Sequence, residues 1–463
     1  MPPINFGDTI AAVSTPLGEG GIAVIRVSGS EAISLVSRLF HSSKSESLKN
    51  QETHTIHHGH LVDEKERVLD EVLVSLFRSP HSYTGEDVAE ISCHGGVRLT
   101  RDILECLVRC GARHADPGEF TRRAFLHGKL DLIQVEAVLD MIRARSEASL
   151  EAACYQLQGN LSRKIGFLKE SLMKIFAHLE AGLDFPDERL DVYSKKECSN
   201  QIKEVKDQMQ SLIASFKRGA RLREGLMTVI VGRPNAGKSS LLNALLERDR
   251  ALVSDIPGTT RDALEEEVEI GGIGLRLVDT AGLGLQPKDR LEEMGIERTR
   301  RYLAEGDLFL VVCDGSADWN EEDEAIFKEI KGKNLLIVVN KSDLPQRLDL
   351  VRLEEWSGEK KPCFISCLTG SGLSEMENRI EEKIAGLKIP EESTTLTRLR
   401  HKQALEEALT ALERFEGDIE RGISSELALI DLKSALDSLR ELIGEVYSES
   451  LLDVIFQEFC IGK

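Results

Sequence analysis

Aromatic side chains are scarce in this chain: Phe, Trp and Tyr make up 5% of it, with two tryptophans in all. Stacking platforms for single-stranded bases are built from such rings, so the composition advertises none. Basic charge is in deficit too. Lys and Arg number 59 against 79 Asp and Glu, a net −20. That argues against a broad nucleic-acid-binding surface and leaves room for a local basic patch. No run of about 18 apolar residues occurs. The opening Met-Pro-Pro-Ile-Asn-Phe-Gly-Asp lacks a basic stretch followed by an apolar one. The expectation is a soluble, cytoplasmic protein with no membrane partner. Nine cysteines (93, 106, 110, 154, 198, 313, 363, 367, 460) are an odd, scattered set. The pairs 106/110 and 363/367 stand four apart, but no His/Cys cluster completes a zinc site. Reduced thiols filling core positions are the plain reading.

What is present is concentrated at one stretch. The apolar run Leu226–Val231 feeds Gly232-Arg-Pro-Asn-Ala-Gly237-Lys238-Ser239, and a helical pattern follows at once. This is a phosphate loop in its strand–loop–helix context. Glycines let backbone N–H groups approach a phosphate, and the helix N-terminus adds partial positive charge. Asn235, Ala236, Gly237, Lys238, Ser239 and Ser240 are therefore expected around the nucleotide. Lys238 is assigned to the β- and γ-phosphates and Ser239 to Mg²⁺.

With 463 residues the chain has room for two to four domains, each with its own core. Residues 1–126 mix strands (Ile22–Val27, Val72–Phe77, Val88–Cys93) with a helix at Leu99–Cys110, and residues 41–69 look like a polar surface excursion. Leu150, Cys154, Leu157, Leu161, Ile165, Leu168, Leu172, Ile175 and Leu179 step by three and four, predicting one extended amphipathic helix. Asp184-Phe-Pro-Asp-Glu ends it, and a second helix pattern covers about 195–218. Strands at 226–231, 275–278, 308–313, 335–339 and 362–365 then alternate with helical stretches, as in a mostly parallel α/β sheet. Helical stripes return at Leu405, Leu409 and Leu412, and from Leu429 to Ile443. The chain thus reads as a multidomain α/β and α protein: an N-terminal α+β domain (1–126), a helical bundle domain in two parts (127–221 and 389–463), and a phosphate-loop domain inserted between them (222–388). An inserted domain hangs on two adjacent strands of chain and can pass its motion to its host.

Further strand ends complete the nucleotide site. Asp279-Thr280-Ala281-Gly282 ends one strand, with Asp279 expected to hold Mg²⁺ through water and the Gly282 amide to face the γ-phosphate. Asn340-Lys341-Ser-Asp343 ends another at the carboxyl edge, where α/β ligands sit. The Asp343 carboxylate can accept from guanine N1–H and N2–H₂, which adenine cannot offer. Ser366-Cys367-Leu368 fits a loop closing over the base. Gly258-Thr259-Thr260-Arg-Asp262 supplies a switch-type segment, with Thr260 a second Mg²⁺ ligand. Each match is short; four in order on strand ends predict a GTPase domain. After Gly282 stands Leu283, which cannot orient an attacking water as a glutamine would. Another polar group must do so if hydrolysis is to be fast, and the acids of Asp289-Arg-Leu-Glu-Glu-Met-Gly-Ile-Glu-Arg298 are the candidates, unless they only face solvent.

On further motifs the chain resembles the MnmE (TrmE) family of tRNA-modification GTPases over essentially its whole length. These are Ser82-Tyr-Thr-Gly-Glu-Asp-Val, His94-Gly-Gly96, Pro117-Gly-Glu-Phe-Thr, Arg123-Ala-Phe-Leu, Lys129-Leu-Asp-Leu, Leu183-Asp-Phe-Pro-Asp-Glu and the terminal Phe459-Cys-Ile-Gly-Lys463. The resemblance implies a homodimer paired through the N-terminal domain, with a fold like folate-dependent aminomethyltransferases. It implies a 5-formyltetrahydrofolate pocket at Arg26, Glu90, Lys129 and Lys463. It also implies K⁺-stimulated hydrolysis, with Asn235 and groups of Ser254, Asp255, Ile256, Pro257, Gly258, Thr259 and Thr260 around the nucleotide; the ion itself falls to Asn235, Ser254, Ile256 and Thr259. Aligned on Gly295-Ile-Glu-Arg298, the water-organising glutamate is Glu292, or Glu293 across an extra residue. The family adds an aminomethyl or carboxymethylaminomethyl group to C5 of the wobble uridine of tRNA, jointly with the flavoprotein MnmG (GidA) in a heterotetramer. No flavin site of the chain's own is expected: Gly18-Glu-Gly-Gly21 lacks the spacing and the following helix.

Three points stay open on sequence alone. Cys460 is either a nucleophile or small filler. The cluster Arg109, Arg113, Arg122, Arg123 either touches tRNA phosphates or is a solvated face. A regulatory or ribosome-assembly switch using the same GTPase domain is the alternative function, though it leaves the one-carbon resemblance unused.

Overall fold

The structure, a computed structural model, describes residues 7–42, 47–184, 195–250, 265–279, 301–357, 361–387 and 394–463. The chain divides into two compact units: one comprises 1–139, 156–202 and 407–463, the other 140–155 and 203–406.

The first unit is built on seven strands: β1 (Ile10–Val13), β2 (Gly20–Ser28), β3 (Phe40–His41), β4 (Thr55–Val62), β5 (Val68–Phe77), β6 (Val88–Gly95) and β7 (Arg113–His114). Their order is β3-β4-β5-β6-β2-β1-β7, antiparallel except where β1 runs parallel to β7. Alternate residues of the central strands (Ile25, Val27, Val72, Val74, Ile91) point into a core closed by the Ala32–Leu39 and Val97–Arg109 helices. Strand β4 corrects the expectation of an irregular excursion over 41–69. Its outward positions carry Ile56, His58 and His60, while Gly59 and Leu61 are buried, so the period of two is hidden by histidines on the wet face.

The four arginines of the charge cluster are all ion-paired. Arg123 has no exposed surface; it bonds Asp8 and Glu119 through Nη2 (2.5 and 3.0 Å) and Glu86 through Nη1 (3.0 Å). Arg113 bridges Asp8 and Glu119 as well. Arg122 holds Glu449 and Asp453, and Arg109 lies 3.4 Å from Glu64. Arg122 and Arg123 are buried ties between chain segments, whereas Arg109 and Arg113 keep exposed surface beside their carboxylate partners.

The predicted single helix over 150–179 is two helices, Glu147–Leu157 and Asn160–Asp184. Gly159 between them adopts φ 79°, which a right-handed helix cannot contain. The apolar stripe runs on through the break, which is why periodicity alone missed it. Leu161, Ile165, Leu168, Leu172 and Ile175 are buried, and the Asn160–Asp184 helix packs along Ser425–Ile443.

The second unit holds a six-stranded sheet ordered β13-β12-β11-β8-β10-β9. The strands are β8 (Leu226–Gly232), β9 (Glu265–Ile270), β10 (Ile273–Asp279), β11 (Leu308–Asp314), β12 (Leu335–Asn340) and β13 (Cys363–Phe364). All neighbours are parallel except β9, which pairs antiparallel with β10. Every residue of β12 is buried, as a strand covered on both faces must be. One face packs Leu241, Leu245, Met376 and Ile380 against the sheet, the other Tyr302, Phe327 and Leu353. Strand β9 (Glu-Glu-Glu-Val-Glu-Ile) went unread in the sequence because its charge masks the alternation.

Candidate nucleotide site and tail pocket

Strands β8, β10, β11 and β12 all end at one edge, and their last residues build the site. The helix Lys238–Arg250 starts directly after the phosphate loop. Lys238 is buried, and its Nζ donates to the Gly232 and Arg233 carbonyls at 2.8 and 2.9 Å. Burial pushes its ammonium below the usual lysine range, with Asp279 opposing. Ser239 Oγ donates to Asp279 Oδ2 at 2.8 Å, so two hard oxygen donors face each other where Mg²⁺ was expected. Asn235 is exposed, with backbone in the left-handed region at φ 63°, and Ser240 is exposed beside Ser239.

Asn340 joins the loops. Its Nδ2 donates to the Ala236 carbonyl at 3.0 Å, and its Oδ1 accepts from the Cys367 amide at 3.2 Å. A Cβ on residue 237 would lie 2.1 Å from Asn340 Nδ2, so this contact requires Gly237. Asp343 is exposed and accepts from Ser366 Oγ at 2.6 Å. Burial pushes the Cys367 thiol up to about 11, and Leu368 is exposed. Ser254, Asp255, Ile256, Pro257, Gly258, Thr259, Thr260, Thr280, Ala281, Gly282, Leu283, Glu292 and Glu293 lie outside the described residues.

Two residues here escaped sequence reasoning. Asp314 bonds Lys341 Nζ at 2.6 Å and Ser316 Oγ at 2.6 Å. Burial alone would raise its carboxyl, but these partners outweigh that and lower it. Its place at the end of β11, opposite Asn340, was the available signal. Asp323 bonds Arg233 Nε of the phosphate loop at 3.0 Å, both side chains being largely buried.

A second constellation lies in the first unit. Arg26 Nε donates to Glu90 Oε1 at 2.8 Å, and its guanidinium lies 5.2 Å from the Tyr83 ring centroid and 5.5 Å from that of Phe120. The terminal tail is pinned beside them: Ser14 Oγ donates to the Gly462 carbonyl (3.0 Å) and the Phe120 amide to Lys463 O (3.2 Å). The Lys463 ammonium is lowered, first by burial and then by Arg26, with Glu90 opposing. Arg26, Glu90 and Lys463 are therefore brought together. Lys129 is engaged elsewhere, donating to the Pro80 carbonyl at 3.0 Å. Cys460 is exposed, and its carbonyl accepts from the Gly118 amide. Tyr83 and Phe120 stand inside motifs already legible, but nothing in their spacing assigned them to Arg26.

Among the described residues no helix is long and apolar enough to cross a membrane, and no cluster of three or more His, Cys, Asp or Glu side chains is arranged for a metal.

The profile described as "GTP-binding protein TrmE N-terminus" matches residues 9–129, and that described as "MnmE helical domain" matches 132–460. The chain is 46% identical to the tRNA modification GTPase MnmE of Moorella thermoacetica, covering 98% of this chain and 99% of that protein. It is 45% identical to the protein of that name from Natranaerobius thermophilus, with the same coverage, and 43% identical to that of Geobacillus kaustophilus, again over 98% and 99%. Among solved structures it is similar to Aquifex aeolicus Era bound to GDP and AlF₄⁻: 29% identity, 40% of this chain and 66% of that one, and a TM-score of 0.28, too low to bear on the fold. Two profiles that together span most of the chain and full-length relatives above 40% identity lead to one conclusion: the chain belongs to the MnmE family of tRNA modification GTPases.

Proposed function

We propose that this GTPase drives the addition of an aminomethyl or carboxymethylaminomethyl group to C5 of the wobble uridine of certain tRNAs, with a tetrahydrofolate one-carbon donor and K⁺-stimulated hydrolysis. The observation that carries this reading is the meeting of Arg26, Glu90 and Lys463 in a unit other than the one bearing the phosphate loop. A protein that merely timed an assembly step would have no use for it. The Arg26 guanidinium, flanked by Tyr83 and Phe120, with Lys463 and one carboxylate beside it, suits a flat anionic ligand. When bound, the folate supplies the one-carbon unit; Arg26 and Lys463 would hold it, Glu90 orients Arg26, and Lys129 would join them only on leaving the Pro80 carbonyl.

At the nucleotide, Lys238 holds the β- and γ-phosphates and Asp343 reads guanine. Ser239 and Thr260 would hold Mg²⁺, whose chemistry there would be to neutralise charge on the phosphates. Asn235 with groups of Ser254, Ile256 and Thr259 would hold K⁺, and Glu292 orients the water. The domain limits 1–126, 127–221, 222–388 and 389–463, a homodimer, and MnmG as the flavin-bearing partner in a heterotetramer belong to the same proposal.

Mass analysis of wobble nucleosides in tRNA, with and without this protein, tests the reading. Loss of the C5-substituted uridines without it is expected; unchanged nucleosides would overturn it.

A further inference from the structure

The acidic strand β9 carries none of the candidate nucleotide residues, yet its side chains are in use. Strands β9 and β10 form a hairpin closed by Gly271-Gly272, both at positive φ. That hairpin meets the start of the Glu147–Leu157 helix within the same unit. The Ala148 amide donates to the Gly272 carbonyl at 2.9 Å. The Glu147 amide points at Glu269 Oε1 at 3.4 Å. Arg145 Nη1 lies 2.7 Å from Glu267 Oε2. Ser146 and Ser149 bond each other reciprocally beneath, and Ala148 is buried in the core that contains Val268, Ile270 and Ile273.

The first-turn N–H groups of a helix have no partner inside it and attract negative charge. Here a carbonyl and a carboxylate of the hairpin supply what they need. The apolar seat and the backbone bond hold the contact. The exposed Arg145–Glu267 pair adds little energy of its own, but it sets register.

The hairpin also reaches the nucleotide. β10 runs without interruption from the turn to Asp279, the residue that accepts from Ser239 Oγ. β9 is the edge strand, bonded to β10 alone, so it can shift at the loss of a single ladder. At the other end, the helix continues to Leu157, past Gln156, where the chain enters the first unit.

We propose that Arg145, Glu267, Glu269 and Gly272 form a clasp through which the state of the nucleotide site is passed to the Glu147–Leu157 helix. Loading Ser239 and Asp279 differently in the diphosphate and triphosphate states moves β10 along its axis. That movement tightens or loosens the cap on the helix.

Amide hydrogen exchange on the full chain tests this, with GDP or a non-hydrolysable GTP analogue bound. In the wild type, protection of amides 147–157 should differ between the two states by roughly fivefold or more. Glu267→Arg should erase the difference, and the Arg145→Glu/Glu267→Arg pair should restore it. Equal exchange of 147–157 in both states, while amides 232–240 respond to nucleotide, would overturn the proposal. So would an undiminished difference in Glu267→Arg. The readout needs neither tRNA nor folate, so its failure is distinct from failure of the wobble-uridine reading.

Discussion

Ser366 Oγ donates to Asp343 Oδ1 across 2.6 Å, and Ser366 is buried while Asp343 is exposed. A rigid hydroxyl thus fixes one oxygen of a carboxylate that would otherwise rotate in water. Removing a hydrogen bond to a charged group costs about 1.5–3 kcal/mol, so Ser366→Ala should weaken GTP roughly tenfold or more in an equilibrium titration. Asp343→Asn should do more: it should favour xanthosine triphosphate, whose base presents the opposite pattern. Unchanged GTP preference in that variant would remove Asp343 from base recognition.

The water-positioning role is a matter of rate. Glu292→Ala should lower single-turnover hydrolysis by about 10²–10³-fold while nucleotide affinity stays near wild type. Normal hydrolysis there, with loss in Glu293→Ala, would shift the assignment by one residue.

Asn235 is expected to distinguish cations. K⁺ should accelerate hydrolysis at matched ionic strength where Na⁺ does not, and Asn235→Ala should abolish the difference. Equal wild-type rates in the two salts would remove the monovalent-ion site from the proposal.

In the tail pocket, Lys463→Ala should abolish the rise in melting temperature produced by 5-formyltetrahydrofolate, since ligand stabilisation scales with occupancy. An undiminished shift would take Lys463 out of the pocket.

Acid should loosen the first unit through the Arg123 network. Burial alone would raise the carboxyls of Asp8 and Glu119, but bonds from Arg113 and Arg123 outweigh it and lower both. Groups lowered on folding add stability that is present above the ordinary carboxylate range and lost as pH falls through and below ~4. The melting temperature should therefore drop over that window, and less steeply in Asp8→Asn. Arg123→Met, which strands the Glu86 carboxylate and leaves Asp8 and Glu119 to Arg113, should cost about 3–5 kcal/mol at neutral pH by denaturant titration.

Much of this was legible beforehand where one physical signal dominated. Strands β8, β10, β11 and β12 are apolar runs ending in residues that a phosphate or a base demands, so pattern and chemistry agreed. Reading failed where a strand keeps one face wet with ionisable groups, as His58 and His60 do on β4 and the glutamates do on β9. It also failed at Gly159, where an unbroken apolar stripe crosses a broken backbone. The pairing of Asp314 with Lys341 and the meeting of Arg26 with Lys463 join residues far apart in sequence, and no local rule carries that information.

The Asn340 stitch has a consequence for synthesis. Asn340 follows Ala236, its partner, by 104 residues, and Cys367 comes later still. On the ribosome the phosphate loop therefore emerges chemically complete but unlocked. It gains its side-chain brace only when β12 has joined the sheet and Ser366-Cys367 has closed behind it. A nascent or truncated chain ending before residue 340 would carry every phosphate-loop residue and still hold nucleotide poorly.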